Sequence, residues 1–231
     1  ESHPRLLFDA DRIPELRERI DREPYRSMVE ELVSFAEEDT TSGVEYGQSV
    51  AAMNCGFLYV LTGDPEWAEK AREYTEMRIS DTSSGHGWDR NLKGLRLYWH
   101  GRAVALAYDF CHGAESWAGP VDPLDPEGPR FRDQVREKLK AQADRIYLDG
   151  GTEQNRNPAS NWQNNRFASA GLIYLAIEES LSPEERERIP DCLHKVGTYL
   201  VENMDDGPDS RGYNIEALGY TMYPWSFTGP F

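Results

Sequence analysis

The stretch SNWQNNRFASAG sets three primary amides, Asn161, Asn164 and Asn165, and the guanidinium of Arg166 at the head of an apolar run, LIYLAI. Asparagine is a poor helix residue because its side chain competes for main-chain hydrogen bonds. Positions three or four apart on a helix share a face, so Asn161 stands beside either Asn164 or Asn165. A helix N-cap, filled by Ser160 or Asn161, accounts for one such side chain. The surplus suits another chemistry. Amide N–H groups in a cleft hydrogen-bond to a carboxylate and offset its charge without adding one of their own.

A second constellation is GYNIEALGYTMYPW, where Tyr213, Tyr220 and Tyr223 crowd a polar-to-helix junction around Glu216. Crowded aromatics serve as core or as a surface for stacking sugars. A phenol can also move a proton, as base and then acid, when cationic neighbours lower its pKa. Early in the apolar stretch YWHGRAVALAYDF stand His100 and Arg102. The plain reading there is a half-buried imidazole satisfied by a neighbour. The polar loop GHGWDRN, residues 85 to 91, carries an aromatic that could line a cleft. Five scattered histidines show no metal-ligand spacing, and no phosphate-binding glycine loop or nucleophile elbow occurs. Three widely spaced cysteines, Cys55, Cys111 and Cys192, read as buried thiols.

The elements that must position these residues are helices. Asp9-Ala10-Asp11 leads into RIPELRERI, with Ile13, Leu16 and Ile20 on one face. A second helix follows Pro24 and carries Tyr25, Met28, Leu32 and Phe35. The third, YGQSVAAMNCGFLYVLTG, is apolar nearly all round and should be buried. Gly63-Asp64-Pro65 is a tight turn placing proline at the first helical position of an amphipathic fourth. A fifth runs through GLRLYWHGRAVALAYDFCH and a sixth through FRDQVREKLKAQADRIYLDG, separated by the long loop GAESWAGPVDPLDPEGP. The seventh opens on the asparagines and should end near Glu179. The eighth should start at Ser182-Pro183-Glu184-Glu185 and run to about Met204. No alternating run supports a sheet. The expected fold is all-α, antiparallel helix hairpins in which buried helices alternate with amphipathic ones, stacked as a solenoid or closed into an (α/α) toroid, where long loops at one end of the pairs build a cleft.

The whole chain has 231 residues, 39% of them hydrophobic and 29% charged, and carries a net charge of −16. That charge argues against nucleic acid as a partner, and no apolar run spans a bilayer. Arginine outnumbers lysine, 20 to 5, and arginine is the better bidentate partner of carboxylate and sulfate.

Four segments resemble, in the same order, the heparinase II/III-like polysaccharide lyases, a group that includes alginate lyases. They are HPRLLFDADRIPELRERI, GRAVALAYDFCHGA, SNWQNNRFASAGLIYLA and GYNIEALGYTMY. The resemblance implies β-elimination at a uronic acid within an anionic poly- or oligosaccharide. It implies an Asn neutraliser among Asn161, Asn164 and Asn165, and Tyr220 as base or acid. Asn165 and Tyr220 lie 55 positions apart, close to the family's usual separation. Second-rank substrate contacts on this reading are Arg166, His100, Glu216, Tyr223 and Trp162. Two departures stand out: no histidine occupies the neutraliser segment, and Ala217 stands where the motif glycine usually is. Family members continue into the rest of the toroid and a β-sandwich. On this resemblance residues 1–231 read as the N-terminal part of the toroid, either a fragment or a truncated protein, and whether they complete the cleft is left open. The resemblance implies no cofactor in this segment, with any metal in the C-terminal remainder, and a periplasmic or secreted location; oligomeric state is left open. Two alternatives remain. A toroid glycoside hydrolase needs two carboxylates across a cleft; Glu216, Asp109 and Asp89 are available, but no spacing pairs them. The other is a non-catalytic carbohydrate-binding helical module.

Overall fold

The structure is a computed structural model that describes residues 3–37, 47–82, 87–88, 94–148 and 161–204. These residues are mostly helical and form no strand; their one β-bridge pairs Pro120 with Arg130. Among the described residues ten α-helices run in order: α1 Ile13–Arg19, α2 Tyr25–Glu37, α3 Gly47–Thr62, α4 Pro65–Ile79, α5 Gly94–Cys111, α6 Glu115–Ala118, α7 Phe131–Leu148, α8 Asn161–Ala176, α9 Pro183–Arg186 and α10 Arg188–Met204. They form two compact units. The first comprises Glu1–Leu92 and Ala103–Leu139, the second Lys93–Arg102 and Lys140–Phe231, so α5 and α7 each contribute to both.

In the first unit α3 is buried on most sides, through Ala51, Ala52, Cys55, Leu58, Val60 and Leu61. Its partner α4 follows after two residues. Gly63 takes φ +76°, a left-handed conformation glycine adopts without steric cost, and Asp64 caps α4 by accepting from the Glu66 N–H at 3.0 Å. Pro65 then sits where no helical N–H is needed. Helix α3 lies close against α5 at Gly56, where a Cβ would stand 3.3 Å from both Cys111 Sγ and Phe110 Cβ. The loop after α5 contains the short α6, which the sequence pattern did not single out. Trp117 seats it, donating through Nε1 to the Ala68 carbonyl at 3.0 Å and meeting Phe131 edge-on. The Arg72 guanidinium ties the rest of the loop, donating to the carbonyls of Ser116, Pro120 and Val121 while covering the Phe131 ring.

The N-terminal segment is fastened to α5 by one buried carboxylate. Asp109, fully buried, accepts from the Arg5 N–H at 3.1 Å, the Leu6 N–H at 3.0 Å and, on Oδ1, meets His3 Nδ1 at 2.7 Å. The His3 ring stacks on His112 and meets Tyr108 edge-on.

The second unit holds the first part of α5, the last part of α7, and α8 to α10. Helix α8 is sunk almost completely, with Phe167, Ala168, Ala170, Leu172, Ile173, Tyr174 and Ala176 buried. Two helix ends depart from the sequence pattern. Helix α8 stops at Ala176 and passes into a 3-10 turn, Glu178–Ser180. The continuous helix expected from Ser182 to Met204 is divided at Glu187 into α9 and α10. Pro190 explains the division: it lacks an N–H and its ring collides with the carbonyl four residues back, that of Arg186. The start is as expected, a full capping box between Ser182 and Glu185.

Candidate functional site

Helices α5, α7 and α8 approach one another closely in the second unit because Gly101 has no side chain. A Cβ there would lie 2.8 Å from Ile173 Cδ1, 3.3 Å from Gln142 Cγ and 3.4 Å from Ile146 Cδ1. This packing draws the polar residues of α8 inside. Asn164, Asn165 and Ser169 are 0% exposed and His100, one residue before the glycine, is 1% exposed. Trp162, at the start of α8, is half-buried. Asn161 is the first residue of α8, and nothing is described of its side chain.

Asn165 and Ser169 stand one turn apart on the same face. Among the described residues, neither Nδ2 nor Oδ1 of Asn165 has a hydrogen-bond partner, and neither has Oγ of Ser169. Each such buried group costs about 1–3 kcal/mol relative to a satisfied one. Atoms in this condition also occur at Thr75 Oγ1 in α4 and Gln142 Nε2 in α7; at Asn165 and Ser169 three of them share adjacent turns of one helix face.

Arg166 is committed elsewhere. Its Nε donates to the Ile146 carbonyl at 2.8 Å, its Nη2 donates to the Tyr147 carbonyl, and the guanidinium lies over the Phe167 ring. It thus satisfies carbonyls of the last turn of α7, which have no intrahelical partner. Although the sequence suggested a substrate contact, two of its donor positions serve the helix end.

Beside this interior lies a network that sequence spacing did not reveal. The Tyr147 hydroxyl donates to Asp191 Oδ2 at 2.7 Å, and Lys195 also bonds that carboxylate. The Tyr174 hydroxyl donates to Asp144 Oδ1 at 2.8 Å, and Arg188 bonds both. Burial first, then the hydrogen bond to Asp191, pushes the Tyr147 phenol up to about 12. Burial likewise drives the Tyr174 phenol well above its ordinary value. Neither phenol is suited to act as a base near neutral pH. The pairs join positions 44 and 30 residues apart, separations at which no local pattern exists to be read.

Of the other residues singled out by the sequence, Tyr220, Tyr223, Glu216, Tyr213 and Asp89 lie outside the described residues. Asp109 belongs to the first unit and holds the N-terminal segment. Both its oxygens already accept hydrogen bonds from main-chain N–H groups and His3, an arrangement that suits a structural anchor and not the proton-donating carboxyl of a hydrolase. All three cysteines are free, buried thiols, as expected. Burial raises Cys55 to about 11 and Cys192 to about 12, so neither is a ready thiolate.

No family model matches the chain, and a search of curated proteins returns no match.

Proposed function

We propose that the chain is part of an (α/α) toroid that cleaves a uronic-acid-containing polysaccharide by β-elimination. The observation that supports this reading best is the Asn165 amide, fully buried on α8 and without a partner among the described residues. The reading needs a neutral donor at this position. A uronate C5 proton is too weakly acidic to leave while the adjacent carboxylate keeps its full charge. Hydrogen bonds from amide N–H groups stabilise the enediolate that forms as the proton departs, and in a dry interior each is stronger than in water. Asn164, next to Asn165 and equally buried, is the second amide of the set. Tyr220 takes the proton from C5 or returns one to the departing 4-oxygen. The C4–O bond breaks and an unsaturated uronate remains. The raised phenols of Tyr147 and Tyr174 leave that role to a tyrosine elsewhere, consistent with Tyr220.

The test is to incubate the 231-residue chain with alginate and heparan sulfate and to follow the ultraviolet absorbance of the conjugated product. The expected result is new absorbance that Tyr220→Phe abolishes with the fold intact by circular dichroism. Wild-type turnover by Tyr220→Phe would overturn the assignment, as would new reducing ends without absorbance, the mark of hydrolysis. Uronate binding with neither product would instead make the chain a binding module.

A further inference from the structure

The hydroxyl of Ser169 is at odds with its setting. A serine or threonine in a helix ordinarily donates to a carbonyl three or four residues back. Three hydroxyls follow that habit: Thr62 donates to the Leu58 carbonyl at 2.8 Å, Thr198 to the His194 carbonyl at 2.9 Å and Ser180 to the Ile177 carbonyl at 2.7 Å, whereas Thr75 Oγ1, buried in α4, shares the condition of Ser169. Ser169 is more deeply buried than those three, which raises the cost of leaving it unsatisfied, yet its Oγ has no partner among the described residues. One turn earlier on the same face stands the Asn165 amide with both of its polar atoms in the same condition.

We propose that Asn165 and Ser169 form a single binding element for a hydroxylated carboxylate, with Ser169 as a specificity residue that donates to the same carboxylate as Asn165. The inference rests on the uronate-lyase reading and adds a residue and a ligand definition to it. The hydrogen-bond inventory sets the ligand class. Asn165 Nδ2 and Ser169 Oγ are donors, and side chains one helical turn apart lie about 5–6 Å from each other at Cβ, a span that the two oxygens of a carboxylate bridge. Asn165 Oδ1 can only accept. A bare carboxylate has no donor to give it, whereas a uronic acid carries hydroxyls on the same ring. A ligand meeting all three atoms therefore combines a carboxylate with a neighbouring hydroxyl. Discrimination of this kind is strong, because a ligand lacking one group leaves a buried polar atom unpaired.

The experiment is calorimetric titration of the chain and of Ser169→Ala with three probes: glucuronate, glucose and cyclohexanecarboxylate. Thermal unfolding of both proteins is recorded alongside. Glucuronate should bind the wild type more tightly than either other probe. Ser169→Ala should weaken glucuronate roughly ten-fold and leave glucose unchanged, with a melting temperature equal to or above the wild type's, because the substitution removes a buried unsatisfied hydroxyl. Equal glucuronate affinity in the two proteins would overturn the inference, and so would a fall in melting temperature that accompanies the lost binding. If elimination dependent on Tyr220 persists in that case, the lyase reading stands without it. If the wild type binds no glucuronate, the inference falls, and elimination from the polymer decides the lyase reading separately.

Discussion

Removing the Asp109 carboxylate should cost more stability than any other single polar substitution among the described residues, and the structure indicates how the cost divides. Asp109 is fully buried and gathers His3 Nδ1, two contacts from the Arg5 N–H and one from the Leu6 N–H, all between 2.7 and 3.1 Å. Hydrogen bonds to a charged group contribute about 1.5–3 kcal/mol each. Asp109→Ala deletes the acceptor for two main-chain donors and the imidazole, and truncating one partner of such a buried charged set typically costs about 3–5 kcal/mol. Asp109→Asn is a sharper probe. It retains one oxygen. Placed at the Oδ2 position, that oxygen still accepts from Arg5 and Leu6, while the new NH2 faces His3. Imidazole can then accept at Nδ1 by switching tautomer. The remaining losses are the charge and the second Arg5 contact, together about 1–2 kcal/mol. Urea denaturation monitored by circular dichroism, with proteolysis of the N-terminal segment as the local readout, orders the two variants. Asp109→Ala should fall well below Asp109→Asn, and both should expose residues 3–6 to cleavage. A loss under about 1 kcal/mol for Asp109→Ala, or the reverse order of the two, would refute the anchoring argument.

Other outcomes follow from the same contacts. Gly101→Ala should destabilise the second unit by about 1–2 kcal/mol, since overpacking costs about 1–3 kcal/mol and the gain in helix propensity returns up to about 1. Adding Ile173→Val, which removes the atom 2.8 Å from the new Cβ, should recover part of that loss in a double-mutant cycle of melting temperatures; strict additivity would contradict the steric account. The Glu185 carboxyl is held down at about 2, first by its hydrogen bond to Lys140 and then by the Ser182 N–H. Its contribution is therefore complete above the ordinary glutamate range and is lost as pH falls from about 4.5 toward 2. Lys140→Ala should move the Glu185 midpoint, read by carbon NMR, back toward 4.5; an unmoved midpoint would remove the Lys140 bond as its cause.

What the sequence disclosed and what it withheld divide by range. Helices α3, α5 and α8 were legible because an apolar run of helical length has few other ways to be buried. The turn at Gly63 to Pro65 and the capping box at Ser182 were legible because each is closed by atoms within four residues of one another. The division at Glu187 was equally local and was present in Pro190, but the strong capping signal upstream and the amphipathic period downstream outweighed it in reading a single helix. The Tyr147–Asp191 and Tyr174–Asp144 pairs were invisible, since their partners are chosen by how α7, α8 and α10 pack. Two segments far apart in sequence, HPRLLFDADR and GRAVALAYDFCHGA, meet in the same way: His3, Arg5 and Leu6 from the first converge on Asp109 from the second.

The asparagine cluster is the case in which composition gave the right question and only packing could divide the answer. Three amides in one stretch could be cap, solvent contact or site. Burial removes solvent contact for Asn164 and Asn165, and their positions three and four residues inside α8 remove the cap. Arg166, the most conspicuous charge in the stretch, turns to the end of α7. Ser169 carried no signal beyond its four-residue offset from Asn165, an offset equally consistent with a small residue chosen for close packing. Its significance lies in standing one turn from the Asn165 amide with no hydrogen-bond partner among the described residues, since that condition alone is shared by the buried hydroxyl of Thr75 in α4. A polar group that remains unsatisfied in an interior is either a cost the fold tolerates or a contact reserved for a ligand. The direction in which melting temperature moves when that hydroxyl is removed separates the reserved contact from a structural one.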